Sequence, residues 1–259
     1  MKPWPYPGIF AHRGGGSLAP ENTLAAIRLG QSLGYGGHEF DVKLSKDEVA
    51  MLLHDATLER TTSGKGSAAD FAWNELSRLD AGAWHSEPFR GERLATFEEA
   101  AKLLRSKGTA ANVEIKPSPG LEALTGTRVA KLARDFWKGA TVPPLLSSFS
   151  FDALMAAKDA APELPRAWLT DEFTPADWPR LQALEAVSLN TDHRKVAAID
   201  IPQLHAKGYR VMLYTVNDAA TAERLFAAGA DGMFTDNLGE FARRFPDRIR
   251  GPAAGGATR

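Results

Sequence analysis

Cysteine is absent from all 259 residues. Disulfides and thiolate metal sites are therefore excluded, and a reducing compartment is permitted. A charge excess is missing too, because 31 basic residues stand against 32 acidic ones for a net charge of −1. Without a basic footprint, neither nucleic acid nor an anionic membrane surface is an expected partner. No apolar run approaches the roughly 20 residues that span a bilayer. The opening Met1-Lys2-Pro3-Trp4-Pro5-Tyr6-Pro7 carries prolines and no apolar centre, unlike a signal peptide. These absences together predict a cytoplasmic protein with no membrane insertion. No Gly-x-Gly-x-x-Gly or P-loop opens a helix, so nucleotide binding has no support. What remains is ordinary globular composition, 44% hydrophobic and 24% charged, with enough apolar material for a sizeable core.

A βα rhythm runs through that material. Short apolar segments around Ile9, Phe40, Val113, Leu146, Ala167, Val187, Val211 and Met233 alternate with helical stretches. Eight such units in this length favour a closed (β/α)8 TIM barrel over an open doubly wound sheet. One break interrupts the rhythm. After the apolar run Val49–Leu53 and His54, residues 55 to 95 are loop-like, with Trp73 and Trp84 but no strand period. An insertion of roughly 40 residues inside a compact domain is uncommon and usually functional. We expect one barrel domain over residues 1–250 carrying that insertion, and a mobile low-complexity tail over 251–259. Asn22 reads as the N-cap of the first helix, and Thr96 as the cap of the helix after the insertion.

Chemistry-bearing residues gather where strands end. The run Gly8-Ile9-Phe10-Ala11 stops at His12-Arg13-Gly14-Gly15-Gly16. An arginine fork suits phosphate, a histidine moves protons near neutral pH, and glycines let the backbone turn sharply and approach a ligand closely. In His38-Glu39-Phe40-Asp41-Val42-Lys43-Leu44, alternation puts Glu39 and Asp41 on one face, opposite Phe40 and Val42. Glu114 and Lys116 share a face in the same way. In an α/β barrel, polar residues at the C-terminal ends of strands sit on the catalytic face. Carboxylates crowded there repel one another, and a hard divalent cation with oxygen ligands would resolve the conflict. Salt bridges to Lys43 and Lys116 are the competing account. His12 and His54 each end an apolar run beside a charged residue, as a general acid and general base would.

In order along the chain, His12-Arg13-Gly14-Gly15, Pro20-Glu21-Asn22-Thr23, Glu39-x-Asp41, His54-Asp55 with Leu58-x-Arg60-Thr61-Thr62-x-Gly64-x-Gly66, and Glu114-Ile115-Lys116-Pro117 form a specific set. That set resembles the glycerophosphodiester phosphodiesterase family, particularly its bacterial cytosolic members associated with glycerol-phosphate uptake. The resemblance implies a catalytic pair, His12 and His54, and metal ligands Glu39, Asp41 and Glu114. It further implies phosphate binding by Arg13 with help from Lys116, and an insertion that shapes the substrate pocket. Tyr214 falls where the family often has tryptophan, as an aromatic wall. One divalent cation is implied, Mg2+ foremost, with Ca2+ or Mn2+ as alternatives. The implied reaction is hydrolysis of a small-molecule glycerophosphodiester to sn-glycerol 3-phosphate and an alcohol, with water or the glycerol hydroxyl as attacker. Two competitors stand beside it. One is a phospholipase C- or D-like barrel acting on phospholipid, and the other is a barrel that binds glycerophosphodiesters without cleaving them. Asn190 and His193 follow a strand and either line the pocket or, more simply, lie in a solvated loop, and Asn22 is either a site residue or a helix cap that supports the site from behind.

Overall fold

A computed structural model describes residues 4–251. Strands and helices follow one another as β1 (Ile9–Ala11), α1 (Leu24–Ser32), β2 (Gly37–Leu44), β3 (Ala50–Leu52), α2 (Trp73–Leu76), α3 (Phe97–Lys107), β4 (Ala110–Ile115), α4 (Glu122–Phe136) and β5 (Leu145–Ser148). The second half continues with α5 (Phe151–Ala160), β6 (Arg166–Thr170), α6 (Asp177–Ala183), β7 (Ser188–Asp192), α7 (Ile201–Ala206), β8 (Arg210–Tyr214), α8 (Ala219–Ala227), β9 (Gly232–Thr235), α9 (Leu238–Arg244) and α10 (Pro246–Arg250). Every strand except β3 pairs in parallel with its neighbours, and β1 pairs with both β9 and β2, so the sheet closes. The expected (β/α)8 barrel is what forms. The expected tail, apart from Gly251, lies outside the described residues.

Strand β2 shows why these residues choose this architecture. All eight of its residues are buried, yet only alternate ones are apolar. Phe40, Val42 and Leu44 join the apolar layer between sheet and helices, where the Phe40 ring lies 6.0 Å from that of Phe97 on α3. The other face turns Glu39, Asp41 and Lys43 into the barrel interior. Deeper in that interior Tyr6, Phe10, Leu145, Met212 and Phe234 pack as a plug. Apolar filling below and polar residues above divide the interior into a stabilising end and a chemical end.

The run ending at His54, outside the eight counted units, forms β3, which pairs antiparallel to β2 and stands outside the barrel. Such a pair needs only a tight turn, and Ser45-Lys46-Asp47-Glu48 supplies it, with Ser45 Oγ accepting from the Val49 amide at 3.0 Å. Thr23, not Asn22, caps α1, its Oγ1 accepting from the Ala26 amide at 3.1 Å. Asn190 lies inside β7 and is fully buried, rather than in a loop. Thr96 does cap α3, and its backbone N–H donates to Glu99 Oε2 at 2.8 Å to complete a capping box.

The insertion has a core of its own. Met51, Leu53, Leu58, Ala68, Leu76, Ala81 and Leu94 form one buried cluster, with Trp73 packed at its edge. Trp84 behaves differently. It is 41% exposed at the barrel mouth, its Nε1 donating to Ala81 O at 2.9 Å.

Candidate active site

The glycines after β1 make the sharp turn expected of them. A Cβ at Gly15 would come within 2.9 Å of Ala26 Cα on α1, and one at Gly16 would strike Asp236 O. These glycines let the chain fold back against α1 and the end of β9. Arg13, between them and the strand, is itself left-handed at φ 51°. A non-glycine residue rarely adopts that geometry, and it is maintained here by its surroundings. The Arg13 amide donates to Glu39 Oε2 at 2.8 Å, and its carbonyl accepts from the Asn22 amide at 3.0 Å.

Glu39, Asp41 and Glu114 converge. Their nearest carboxylate oxygens all lie within 4.8 Å of one another. Adjacent strands deliver them, with Asp41 on β2 in register with Glu114 on β4. Asn22 clamps Asp41 from both sides, its Nδ2 donating to Oδ2 at 2.8 Å and its Oδ1 accepting from the Asp41 amide at 3.0 Å. Burial, together with the charge of Asp41, pushes the Glu39 and Glu114 carboxyls well above the usual carboxylate range. Burial acts on Asp41 the same way, but Lys116, His54 and Arg13 outweigh it and hold this carboxyl low. The buried oxygens Glu39 Oε1 and Asp41 Oδ1 receive no hydrogen bond. Hard oxygen donors, close together and short of positive charge, fit a divalent cation such as Mg2+ or Ca2+. Lys116 answers part of that shortage, with Nζ 2.7 Å from Glu114 Oε1 and 3.6 Å from Asp41 Oδ1. Lys43 takes no carboxylate and donates to Lys116 O at 3.0 Å.

Both histidines border this cluster. His12 Nδ1 lies 2.7 Å from Asp236 Oδ1, and His54 Nδ1 lies 2.7 Å from Asp55 Oδ1. A carboxylate on Nδ1 fixes the ring and leaves Nε2 as the nitrogen for proton transfer. Burial disfavours the charged form of each. At His12 the bond to Asp236 and the charges of Glu39 and Asp236 prevail, and its pKa is raised. At His54 burial, reinforced by Lys116 and Arg13, prevails over Asp41, and its pKa is lowered. Asp236 and Asp55 carry no role in the sequence reading. Their signal was available, since Asp236 follows the last strand as His12 follows the first.

A cavity of about 130 Å³ joins these groups, lined by His12, Arg13, Glu39, His54, Glu114 and Lys116 on its polar side. Its apolar wall includes Tyr214, whose hydroxyl donates to Thr170 O at 2.9 Å, and Phe149, a residue the sequence reading passed over. The Phe149 and Tyr214 rings meet edge to face at 5.9 Å, and Lys116 Nζ sits 5.4 Å from the Phe149 centroid. Arg13 lines the cavity, with Nη1 held by Glu21 Oε1 at 2.6 Å. His193 stays out of the cavity, its Nδ1 3.2 Å from Tyr214 O.

Residues 12–240 match the glycerophosphoryl diester phosphodiesterase family. A glycerophosphodiester phosphodiesterase from Caldanaerobacter subterraneus subsp. tengcongensis is 33% identical over 233 residues, covering 88% of this chain and 93% of that protein. Among solved structures, a phosphodiesterase of Oleispira antarctica in complex with the product sn-glycerol-3-phosphate superposes with a TM-score of 0.83 at 33% identity. That match covers 93% of this chain and 97% of the other. A glycerophosphodiester phosphodiesterase from Agrobacterium tumefaciens gives a TM-score of 0.75 at 27% identity, over 92% of this chain and 99% of that one.

Proposed function

Because the chain belongs to the glycerophosphoryl diester phosphodiesterase family, we propose that it hydrolyses glycerophosphodiesters to sn-glycerol 3-phosphate and an alcohol, using His12 and His54 as its proton-transfer pair. The observation that carries this reading is the pair of carboxylate-held imidazoles beside three clustered carboxylates, with both imidazoles, Glu39 and Glu114 lining one cavity. A P–O bond to the alcohol breaks while a new P–O bond forms. One histidine takes the proton of the attacking oxygen, and the other supplies a proton to the departing alkoxide. Asp55 and Asp236 keep each Nε2 in position through the proton transfer and favour the imidazolium that forms on one of them.

Glu39, Asp41 and Glu114 are the residues that would hold a divalent cation, Mg2+ foremost. When bound, it would supply Lewis-acid neutralisation of charge on the non-bridging oxygens. Arg13 and Lys116 bring their own positive charge to the same oxygens, Arg13 as a fork and Lys116 as a movable point charge. Tyr214 and Phe149 give the carbon skeleton an apolar wall and keep water from that side of the phosphate. The substrate is a small molecule, because the reactive groups lie in a cavity of only about 130 Å³, and Trp84 of the insertion lines the neighbouring hollow that shares His12 and Arg13.

Release of sn-glycerol 3-phosphate from glycerophosphocholine by the purified protein with Mg2+ tests the reading, beside the same assay on phospholipid vesicles. Turnover of the small substrate and none of the vesicles is the expected result. Preference for vesicles, or binding without product, would overturn it.

A further inference from the structure

Arg60 belongs to the insertion and does not line the catalytic cavity, yet all three of its guanidinium nitrogens donate to the carboxylates of Asp55 and Glu21. Nε and Nη2 reach Asp55 Oδ2 and Oδ1 at 2.6 and 3.0 Å. Nη1 and Nη2 reach Glu21 Oε2 and Oε1 at 2.7 and 2.8 Å. The two oxygens that share Nη2 are already engaged. Asp55 Oδ1 is the partner of His54 Nδ1, and Glu21 Oε1 is the acceptor from Arg13 Nη1. One nitrogen therefore stands between the oxygen that holds the imidazole and the oxygen that holds the other guanidinium.

We propose that Arg60 is a positioning residue for the hydrolysis, locking His54 and Arg13 into one fixed relation through Asp55 and Glu21. The inference rests on the hydrolytic reading above. The planar fork of an arginine can engage two carboxylates at once, whereas a lysine offers a single point charge. With its donors turned to Asp55 and Glu21, Arg60 is not arranged to receive a phosphate. Its side chain is 44% exposed, where an isolated ion pair contributes little, but two bidentate contacts joined in a network fix its rotamer and the relation of the groups it links. The chemistry requires that geometry. Arg13 places the phosphate while His54 must meet an oxygen attached to it, and misplacement by about 1 Å costs on the order of 10²-fold in rate.

The test compares Arg60→Met, Arg60→Lys, Asp55→Asn, Glu21→Gln and the double variant Arg60→Met/Asp55→Asn. Glycerophosphocholine turnover with Mg2+, thermal melting, and 15N NMR of the histidine rings are measured on each. Arg60→Met is expected to lose about 10²-fold in kcat and to raise KM. Asp55→Asn should reproduce the loss in kcat, and Glu21→Gln the rise in KM. The double variant should stay within about twofold of Arg60→Met in kcat, because both changes cut the same link. Arg60→Lys should melt like the parent and still share the kinetic loss. His54 should pass from the Nδ1–H form to a mixture of tautomers in Arg60→Met. Additive losses in the double variant, full activity in Arg60→Lys, or an unchanged His54 ring in Arg60→Met would each overturn the proposal. Inactivity of the parent protein would defeat the hydrolytic reading instead, and the His54 spectrum would still report on the Arg60 link.

Discussion

At Asn22 the backbone is left-handed, φ 59°, and the side chain turns toward Asp41 rather than to the helix it precedes. Its sequence context, a polar residue just before an alanine- and leucine-rich run, carries the signature of a cap, and Thr23 answers to that signature one position later. No local pattern distinguishes the two, because Asp41 arrives from a strand 19 residues on. The five residues proposed for protons and metal stood out for the opposite reason. Glu39, Asp41 and Glu114 are charged residues on the polar face of strands whose other face is largely apolar, and His12 and His54 follow apolar runs, so each is conspicuous within its own segment. Asp55 and Asp236 were visible as letters but not as partners, since only the closed barrel brings Asp236 to His12. If Asn22 sets the orientation of a metal ligand, Asn22→Ala should weaken Mg2+ binding by about 10–100-fold in a calorimetric titration. His12→Ala and His54→Ala should each lower kcat by about 10²–10⁴-fold while the circular dichroism spectrum holds. Near-parental turnover in either would remove that histidine from the pair.

The insertion is an element whose existence was legible and whose packing was not. Its loop-like composition concealed a cluster built from residues spaced far apart, such as Leu58, Leu76 and Leu94. Periodicity finds a face on one helix or strand, and here no element is long enough to display one. Leu58 is nearly fully buried, so Leu58→Ala should cost about 2–5 kcal/mol in denaturant unfolding. A cost near zero would mean that the insertion is not packed on the barrel as described. Trp84 serves elsewhere, lining a second hollow of about 650 Å³ that shares His12 and Arg13 with the catalytic cavity. Trp84→Ala should therefore alter KM among glycerophosphodiesters of different alcohols and leave the melting midpoint nearly unchanged.

For the whole molecule, burial and charge set two responses to solution conditions. Tyr6, Tyr35, Tyr209 and Tyr214 are the four tyrosines of the chain, and burial raises the pKa of every one. A raised folded value means that this contribution to stability is intact below about pH 10, the ordinary tyrosine value, and declines above it. Phenolate absorbance should accordingly appear together with loss of ellipticity in alkali, and ionisation well ahead of unfolding would contradict the burial. At the mouth of the barrel, three carboxylates crowd one point with Lys116 as partial relief. Mg2+ should raise the melting midpoint as its concentration rises, and EDTA should abolish both the shift and the turnover. The closed sheet has a further consequence, for the order in which the site can come into being. His12 and its partner Asp236 lie 224 residues apart, and β1 is fixed by β9 on one side and by a single β2 pair, Ala11 to His38, on the other. His12 is synthesised 224 residues ahead of Asp236, and it has no fixed orientation until the last strand is made and the ring is sealed. Competence for proton transfer is thus among the last things the nascent barrel acquires.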